Sequence, residues 1–288
     1  MRDSVKDDWG IKELQNCILN ICQYIHEFCE ENNIRYCIMG GTALGALRHG
    51  GFIPWDDDMD LFMTPNEYLK FRKVFKKKGN QQRFYLQELG ESNGKVVYAK
   101  LRLNDSTFIE NEVAEYDIHH GVFVDIMILH HYPDKWIKRC GVVLWQTYLE
   151  IKSFANKTYK KRGFFMFYAL KPLSWLPKRL LLNYALTQVW KYKDIECSNY
   201  FHYYIGHPLR VSVYPKEIFS RYELVDFEMI KLYAPKGLKK YLTIMFGDYM
   251  QIPNIKDIKW KQHAHNWSPN TSFEKKGRGT FEAEKYLW

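Results

Sequence analysis

Residues 54–63 read Pro54-Trp55-Asp56-Asp57-Asp58-Met59-Asp60-Leu61-Phe62-Met63, a crowded acidic run that passes directly into an apolar one. Four aspartates in five positions repel one another, so some would take up protons unless cations compensated them. A divalent ion does this well, because hard Mg²⁺ prefers carboxylate oxygens and shares its shell with water and phosphate. Residues 59–63 predict a strand. If it begins near Asp58, then Asp58 and Asp60 share one face, since side chains alternate along a strand. Met59 and Leu61 would point into the core, and Asp57 would face away as a supporting or turn residue. A solvated acidic turn is the plain alternative, but it explains neither Pro54-Trp55 before the run nor the apolar strand after it.

Upstream, Gly40-Gly41-Thr42 stops a short β-type run over residues 34–39 and opens a helix over 43–48, with Thr42 as its cap. Glycine lets a backbone approach a phosphate closely, and a helix N-terminus offers free N–H groups and a positive dipole end. Further upstream, Ile11, Leu14, Ile18, Ile21, Ile25 and Phe28 recur at the spacing of an amphipathic helix within residues 8–33. Cys17, Cys22 and Cys29 fall in that helix and read as small buried apolar residues. No CxxC pair occurs, and residues 1–10 carry no secretory pattern, so a reducing cytoplasmic compartment is expected.

Downstream, Pro65 opens a helix that ends in Lys76-Lys77-Lys78, where positive charge suits the dipole. Strands are predicted over 84–87, 96–103, 107–109 and 122–128. The last lies in the apolar run 121–129, whose single charge is Asp125. An unpaired aspartate there would be costly. It therefore pairs with Lys or Arg, or faces a metal together with Asp58 and Asp60. Arg48, Lys100 and Arg102 are candidates for phosphate contacts, with surface salt bridges as the alternative; Lys100 and Arg102 share one strand face.

The texture changes near residue 134 to long stretches rich in Trp, Tyr, Phe and Lys. The expectation is an α+β protein with a mixed catalytic half over 1–133. A mostly helical half, 134–288, would bind substrate or acceptor and pack on it. The chain has 288 residues and a formal net charge of +9, which favours anionic partners. Residues 152–193 mix bases with aromatics, as either an interfacial surface for anionic membrane or a packed helical region with snorkelling lysines. No run of about 18 apolar residues is present, so no membrane span is expected.

The stretch from Gly40-Gly41-Thr42 through Arg48-His49-Gly50-Gly51-Phe52-Ile53-Pro54-Trp55 to Asp56-Asp57-Asp58-Met59-Asp60-Leu61 resembles the signature of the LicD family. Those are phosphocholine-type transferases of the nucleotidyltransferase superfamily, related to the fukutin-type ribitol-phosphate transferases. Residues 121–126 look like the family's third-carboxylate strand, and Phe246-Gly247-Asp248-Tyr249-Met250 with Pro253 looks like its C-terminal element. The resemblance implies a nucleotidyltransferase-like mixed sheet with flanking helices. It implies Asp58, Asp60 and Asp125 as ligands of Mg²⁺ or Mn²⁺, two ions in all, and Gly40, Gly41 and Thr42 as the phosphate cradle. The implied reaction moves a phospho-substituent from a CDP-activated donor, CDP-choline foremost, to a sugar hydroxyl of a cell-surface glycan or its lipid-linked precursor. Such an acceptor puts the enzyme in the cytoplasm or at the inner face of the membrane. His130-His131 and Met229 depart from the family pattern, which often has an acidic residue and a glycine there.

Two other readings share some of these residues. A transferase of nucleoside monophosphate to a small molecule, protein or RNA would use the same metal site. The long GALRHGGFIPW segment before the aspartates argues against it, and no nucleic acid is expected as partner. A non-enzymatic basic scaffold would not need every acidic position retained. If the head group is choline, an aromatic cage is expected, with Trp55, Tyr98, Tyr116, Trp145, Trp175 and Trp190 as candidates.

Overall fold

The structure, a computed structural model, describes residues 9–88, 98–110, 114, 118–154, 178–193, 199–203, 212–252 and 263–273. Helix α1 (Lys12–Glu31) buries Leu14, Ile18, Ile21, Cys22, Ile25 and Cys29 on one side. Each such aliphatic side chain contributes about 1.5–3 kcal/mol when withdrawn from water. Strand β1 is only Cys37–Ile38, because Met39 donates its N–H to Asp60 O and Gly40 then turns with φ +55°.

Helix α2 (Gly40–His49) starts three residues earlier than expected, with Met39 at its N-cap. Thr42 is therefore not a cap. It sits inside the first turn, and its Oγ1 accepts the N–H of Asp60 at 2.9 Å. Strand β2 (Asp60–Met63) follows, then α3 (Pro65–Lys78), β3 (Phe84–Gln87), β4 (Ala99–Leu103), β5 (Thr107–Glu110) and β6 (Phe123–Ile128).

Five strands form one mixed sheet in the order β1-β2-β6-β4-β3. Only β2 and β6 run parallel, with Asp60 opposite Asp125; β4 pairs antiparallel to β6 with Lys100 opposite Asp125. Asp60, Asp125 and Lys100 thus stand in one row, on one face, across three neighbouring strands. The alternate positions Leu61, Leu101, Val124 and Ile126 are fully buried. Helix α1 packs on β4 and β6, and α3 packs on β2.

In the second half, β7 (His130–Tyr132) leads into α4 (Trp136–Phe154), and α5 (Lys178–Trp190) packs against it. Its described residues are less uniformly helical than their texture suggests. Strands β8 (Tyr200–Tyr203) and β9 (Ser212–Pro215) extend β7 into a three-stranded sheet. Strands β10 (Tyr222–Phe227) and β11 (Ile230–Pro235) make a hairpin, α6 (Leu238–Phe246) follows, and β12 (Ala264–Ser268) pairs with β5. Aromatic-rich runs suit strands as well as helices.

His130 and His202 face each other across the β7–β8 pair, both buried, with ring centroids 5.5 Å apart. Gln146 Nε2 lies 3.0 Å from His202 Nδ1, and Trp190 meets His130 edge-on. Burial lowers both pKa values, that of His130 to about 3. Below the ordinary histidine pKa the unfolded chain binds protons that these folded rings refuse, so their contribution falls as pH drops. Between pH 7 and pH 5 the wild type should lose about 2 kcal/mol relative to a His130→Phe variant. Urea melts of both proteins at the two pH values measure the difference; parallel pH slopes would refute it. The clustered aspartates shift both proteins alike and cancel.

Candidate active site

The start of β2 and the middle of β6 bring Asp58, Asp60 and Asp125 together, with one ligand oxygen from each within 4.8 Å of the others. Asp58 precedes the strand rather than lying in it, so the turn before β2, and not strand alternation alone, aims it at Asp60. Burial raises the pKa of all three. Asp60 is held well above the usual carboxylate range, with Asp58, Asp125 and Asp56 adding to the effect of burial. Asp125 is pushed up to about 6 by burial, against the pull of Lys100.

Lys100 Nζ stands 2.9 Å from Asp125 Oδ1 and pairs with that buried carboxylate. Asp125 thus pairs with a lysine, one of the two alternatives, and also stands beside Asp58 and Asp60. The donor set is three carboxylates, each offering an oxygen within 4.8 Å of the others, and it fits a hard divalent cation. The same cation would relieve the mutual repulsion.

Arg102 requires a correction. It is fully buried, and its guanidinium reaches Glu110 Oε2 at 2.7 Å, Gln87 Oε1 at 2.7 Å and Gly121 O at 2.9 Å. It is not positioned to meet a phosphate. Lys100 shares its face as expected and donates to the other oxygen of Glu110 at 2.8 Å. Burial works against the charge on Glu110, but the two cations hold its pKa down to about 2. Arg48 is partly exposed and donates to Tyr249 O at 2.8 Å, which ties α2 to the segment 247–251.

The glycines are held close to the aspartates. A Cβ on Gly40 would lie 2.8 Å from Asp60 Oδ2, and one on Gly41 would lie 2.5 Å from Asp56 Oδ2. Gly40 donates its N–H to Tyr241 Oη at 2.9 Å, leaving Gly41 and Thr42 as the other amides of the first turn. Gly40→Ala should cost about 1–2 kcal/mol for the positive φ alone. It should also displace Asp60 and lower metal affinity, readable as a smaller thermal shift on adding Mg²⁺. An unchanged shift would show that the glycine serves the turn only.

Asp57 is buried, and with Asp58 and His263 it forms a second group that could hold a metal ion. It accepts the backbone N–H of His263 at 2.7 Å, and His263 Nδ1 lies 2.7 Å from its other oxygen and 3.5 Å from Asp58 Oδ2. The Asp57 hydrogen bond, with the charges of Asp58, Asp57 and Asp125, raises the pKa of His263 to about 10 despite its partial burial. Strand β12, paired with β5, delivers this histidine. Glu228, at the β10–β11 turn, accepts Phe52 N–H at 3.1 Å and donates its own N–H to Gly50 O at 2.8 Å, fixing the glycine turn ahead of the acidic run. Sequence reading missed His263, Glu110 and Glu228. For Glu110 a signal existed: an acid in an apolar strand, the argument already made for Asp125.

Of the aromatic candidates, Trp55 and Tyr98 border the aspartates. Trp55 packs against Trp9 at 5.9 Å, and the Tyr98 hydroxyl is raised well above its ordinary range by burial, then by Asp125, Glu110, Asp60 and Asp58. Trp190 is buried on Tyr68, Trp145 packs on Tyr184, and Tyr116, Trp175 and Pro253 lie outside the described residues. A cleft of about 1850 Å³, lined by Arg35, Thr64, Tyr200, Lys216 and Tyr222, opens past the far end of β2 and does not contain the aspartates.

A mixed sheet that gathers three carboxylates able to hold a metal ion beside a glycine-led helix defines the class: an α+β protein with a candidate metal site. The family described as LicD/FKTN/FKRP, nucleotidyltransferase domain, matches residues 33–181, slightly more than half of the chain, and this chain belongs to the LicD family. It is 29% identical over 268 residues to the lipopolysaccharide cholinephosphotransferase LicD of Haemophilus influenzae, a likeness spanning 86% of this chain and 94% of that protein. It is 49% identical over 39 residues to the ribitol 5-phosphate transferase FKRP of Homo sapiens, which is 14% of this chain and 8% of that one. The first likeness runs nearly end to end; the second is confined to a short segment.

Proposed function

We propose that this chain catalyses metal-dependent transfer of phosphocholine from CDP-choline to a sugar hydroxyl of a cell-surface glycan or its lipid-linked precursor. The observation that carries this reading is the convergence of Asp58, Asp60 and Asp125 on a common point. Family membership and the nearly full-length likeness to a cholinephosphotransferase support it. We read the five-stranded sheet as a nucleotidyltransferase-like core within residues 1–133, with residues 134–288 contributing to acceptor binding.

Asp58, Asp60 and Asp125 would hold Mg²⁺ or Mn²⁺, with room in the donor set for two ions. Bound there, the metal supplies a Lewis acid that acidifies the attacking hydroxyl and neutralises charge on the leaving CMP. The amides of Gly41 and Thr42, at the positive end of α2, receive the donor phosphates. Arg48, partly exposed in the last turn of the same helix and within reach of the charge of Asp56, is a further cation for the donor. Asp125 accepts the proton of the sugar hydroxyl, and Lys100, paired with its Oδ1, fixes the orientation of that carboxylate. Arg102 acts through Glu110, which anchors Lys100. Trp55 and Tyr98 offer π faces to a quaternary ammonium. A lipid-linked acceptor would put the reaction at the cytoplasmic face of a membrane.

The test is a donor screen with CDP-choline, CDP-ribitol, CDP-glycerol and CDP-ethanolamine in Mg²⁺, reading CMP release and the fate of each labelled half. CMP release with the choline-phosphate label in product is expected. Transfer of the nucleotide half, or no metal-dependent release from any donor, would sink the reading.

A further inference from the structure

We infer that the paired helices α4 and α5 form a docking face for an anionic lipid surface. On α4, Trp136, Ile137 and Leu144 are 71%, 69% and 61% exposed, and the exposed Cys140 falls between them. This spacing places all four on one stripe, about 12 Å long at the rise of an α-helix. On α5, Leu180 and Tyr184, one turn apart, are 72% and 51% exposed. The stripes adjoin, because the Tyr184 ring meets Trp145, the neighbour of Leu144, at 4.9 Å.

This face is not the helices' core side turned outward. Val142, Gln146 and Leu149 of α4 and Leu182, Ala185, Leu186 and Val189 of α5 are already buried. Single exposed apolar side chains are ordinary, but five large ones on the outer side of two packed helices form a patch that calls for a partner.

Charge selects the partner. Between Asp134 and Lys193 the sequence holds thirteen lysines and arginines against two acidic residues. That excess of eleven is larger than the whole chain's +9, so the remaining residues carry two more acids than bases. Lys135 and Lys138 are exposed beside Trp136 and Ile137, and Lys191 is exposed just past α5. Lysines around exposed indole and aliphatic groups suit the headgroup region of an anionic bilayer, where the apolar groups enter and the bases meet lipid phosphates. A second copy of the chain would set the same positive charge against itself. Among the described residues no helix is long and apolar enough to cross a membrane, so the contact is with the surface.

The test is flotation of the full chain with vesicles of phosphatidylcholine alone or with added phosphatidylglycerol. Binding to the anionic vesicles only, falling as salt is raised, is expected. The double variant Ile137→Ser/Leu180→Ser, both positions being exposed, should melt as the wild type does and bind at least about tenfold less. Its Mg²⁺-induced thermal shift should equal that of the wild type, since neither position is near the aspartates, so failure here is distinguishable from failure of the proposed reaction. No flotation, equal binding to uncharged vesicles, or a vesicle-free dimer that the double variant dissociates would overturn the inference.

Discussion

Asp60→Asn should lower transfer on the order of a thousandfold, the scale of losing one preorganised electrostatic group, while leaving the metal-free fold at least as stable. The two effects have one cause. Asp60 is crowded by Asp58, Asp125 and Asp56, and burial with their charge holds its pKa well above the ordinary range. Replacing it with a neutral amide of the same shape removes repulsion that the folded protein otherwise bears. The contact that fixes the strand here, Thr42 Oγ1 accepting the N–H of residue 60, uses backbone and survives the change. What is lost is a carboxylate at the point where three converge. Mg²⁺ should therefore raise the melting temperature of the wild type and leave that of the variant nearly unmoved, since only a bound ion stabilises by mass action. Asp58→Ala should behave alike. Turnover near the wild-type level in either variant would remove the aspartates from the mechanism, and a large loss of metal-free stability would mean that they are structural.

The acidic run was legible because its chemistry is local. Crowded carboxylates favour cations or protons wherever the chain puts them, and the apolar strand behind them fixes where Asp60 points, though not Asp58. Asp125 could be found because a single charge in a buried strand must have a reason, and β6 is buried throughout. The residues that hold this cluster in place come from far along the chain, and sequence spacing carries no information about such contacts. His263 reaches Asp57 from about two hundred positions away through the pairing of β12 with β5, and Glu228 clamps the glycine turn from a hairpin. Arg102 was misread for a related reason. Strand alternation places it correctly on the face of Lys100, but alternation cannot tell a cation that meets ligand from one buried behind it. The start of α2 was placed three residues late because Thr42 is a good cap by type, while the backbone turn at Gly40 had already begun the helix.

Glu110→Gln carries the largest stability effect expected among single changes at the site. Each oxygen of Glu110 is taken by a different cation, Oε1 by Lys100 and Oε2 by Arg102, whose side chains are 7% and 0% exposed. Removing one partner from a buried ionic cluster is costly because the remaining charge stays uncompensated, typically by about 3–5 kcal/mol. The carboxylate's own titration gives a similar size. Its pKa is about 2 in the fold against 4.5 ordinarily, worth roughly 3 kcal/mol by linkage. With a depressed pKa, that contribution is complete above the ordinary value of 4.5 and is lost as pH falls toward 2. Lys100 keeps Asp125, and Arg102 keeps Gln87 and the Gly121 carbonyl, so the lower end of the range is expected, about 3 kcal/mol at pH 7. Near pH 3 the gap between the two proteins should narrow. Urea melts at both pH values read the prediction. A loss below about half a kcal/mol at pH 7, the scale of an ordinary surface substitution, would show that Glu110 does not hold the two cations. Transfer should fall as well, because Lys100, released from Glu110, is no longer held at a fixed position beside Asp125.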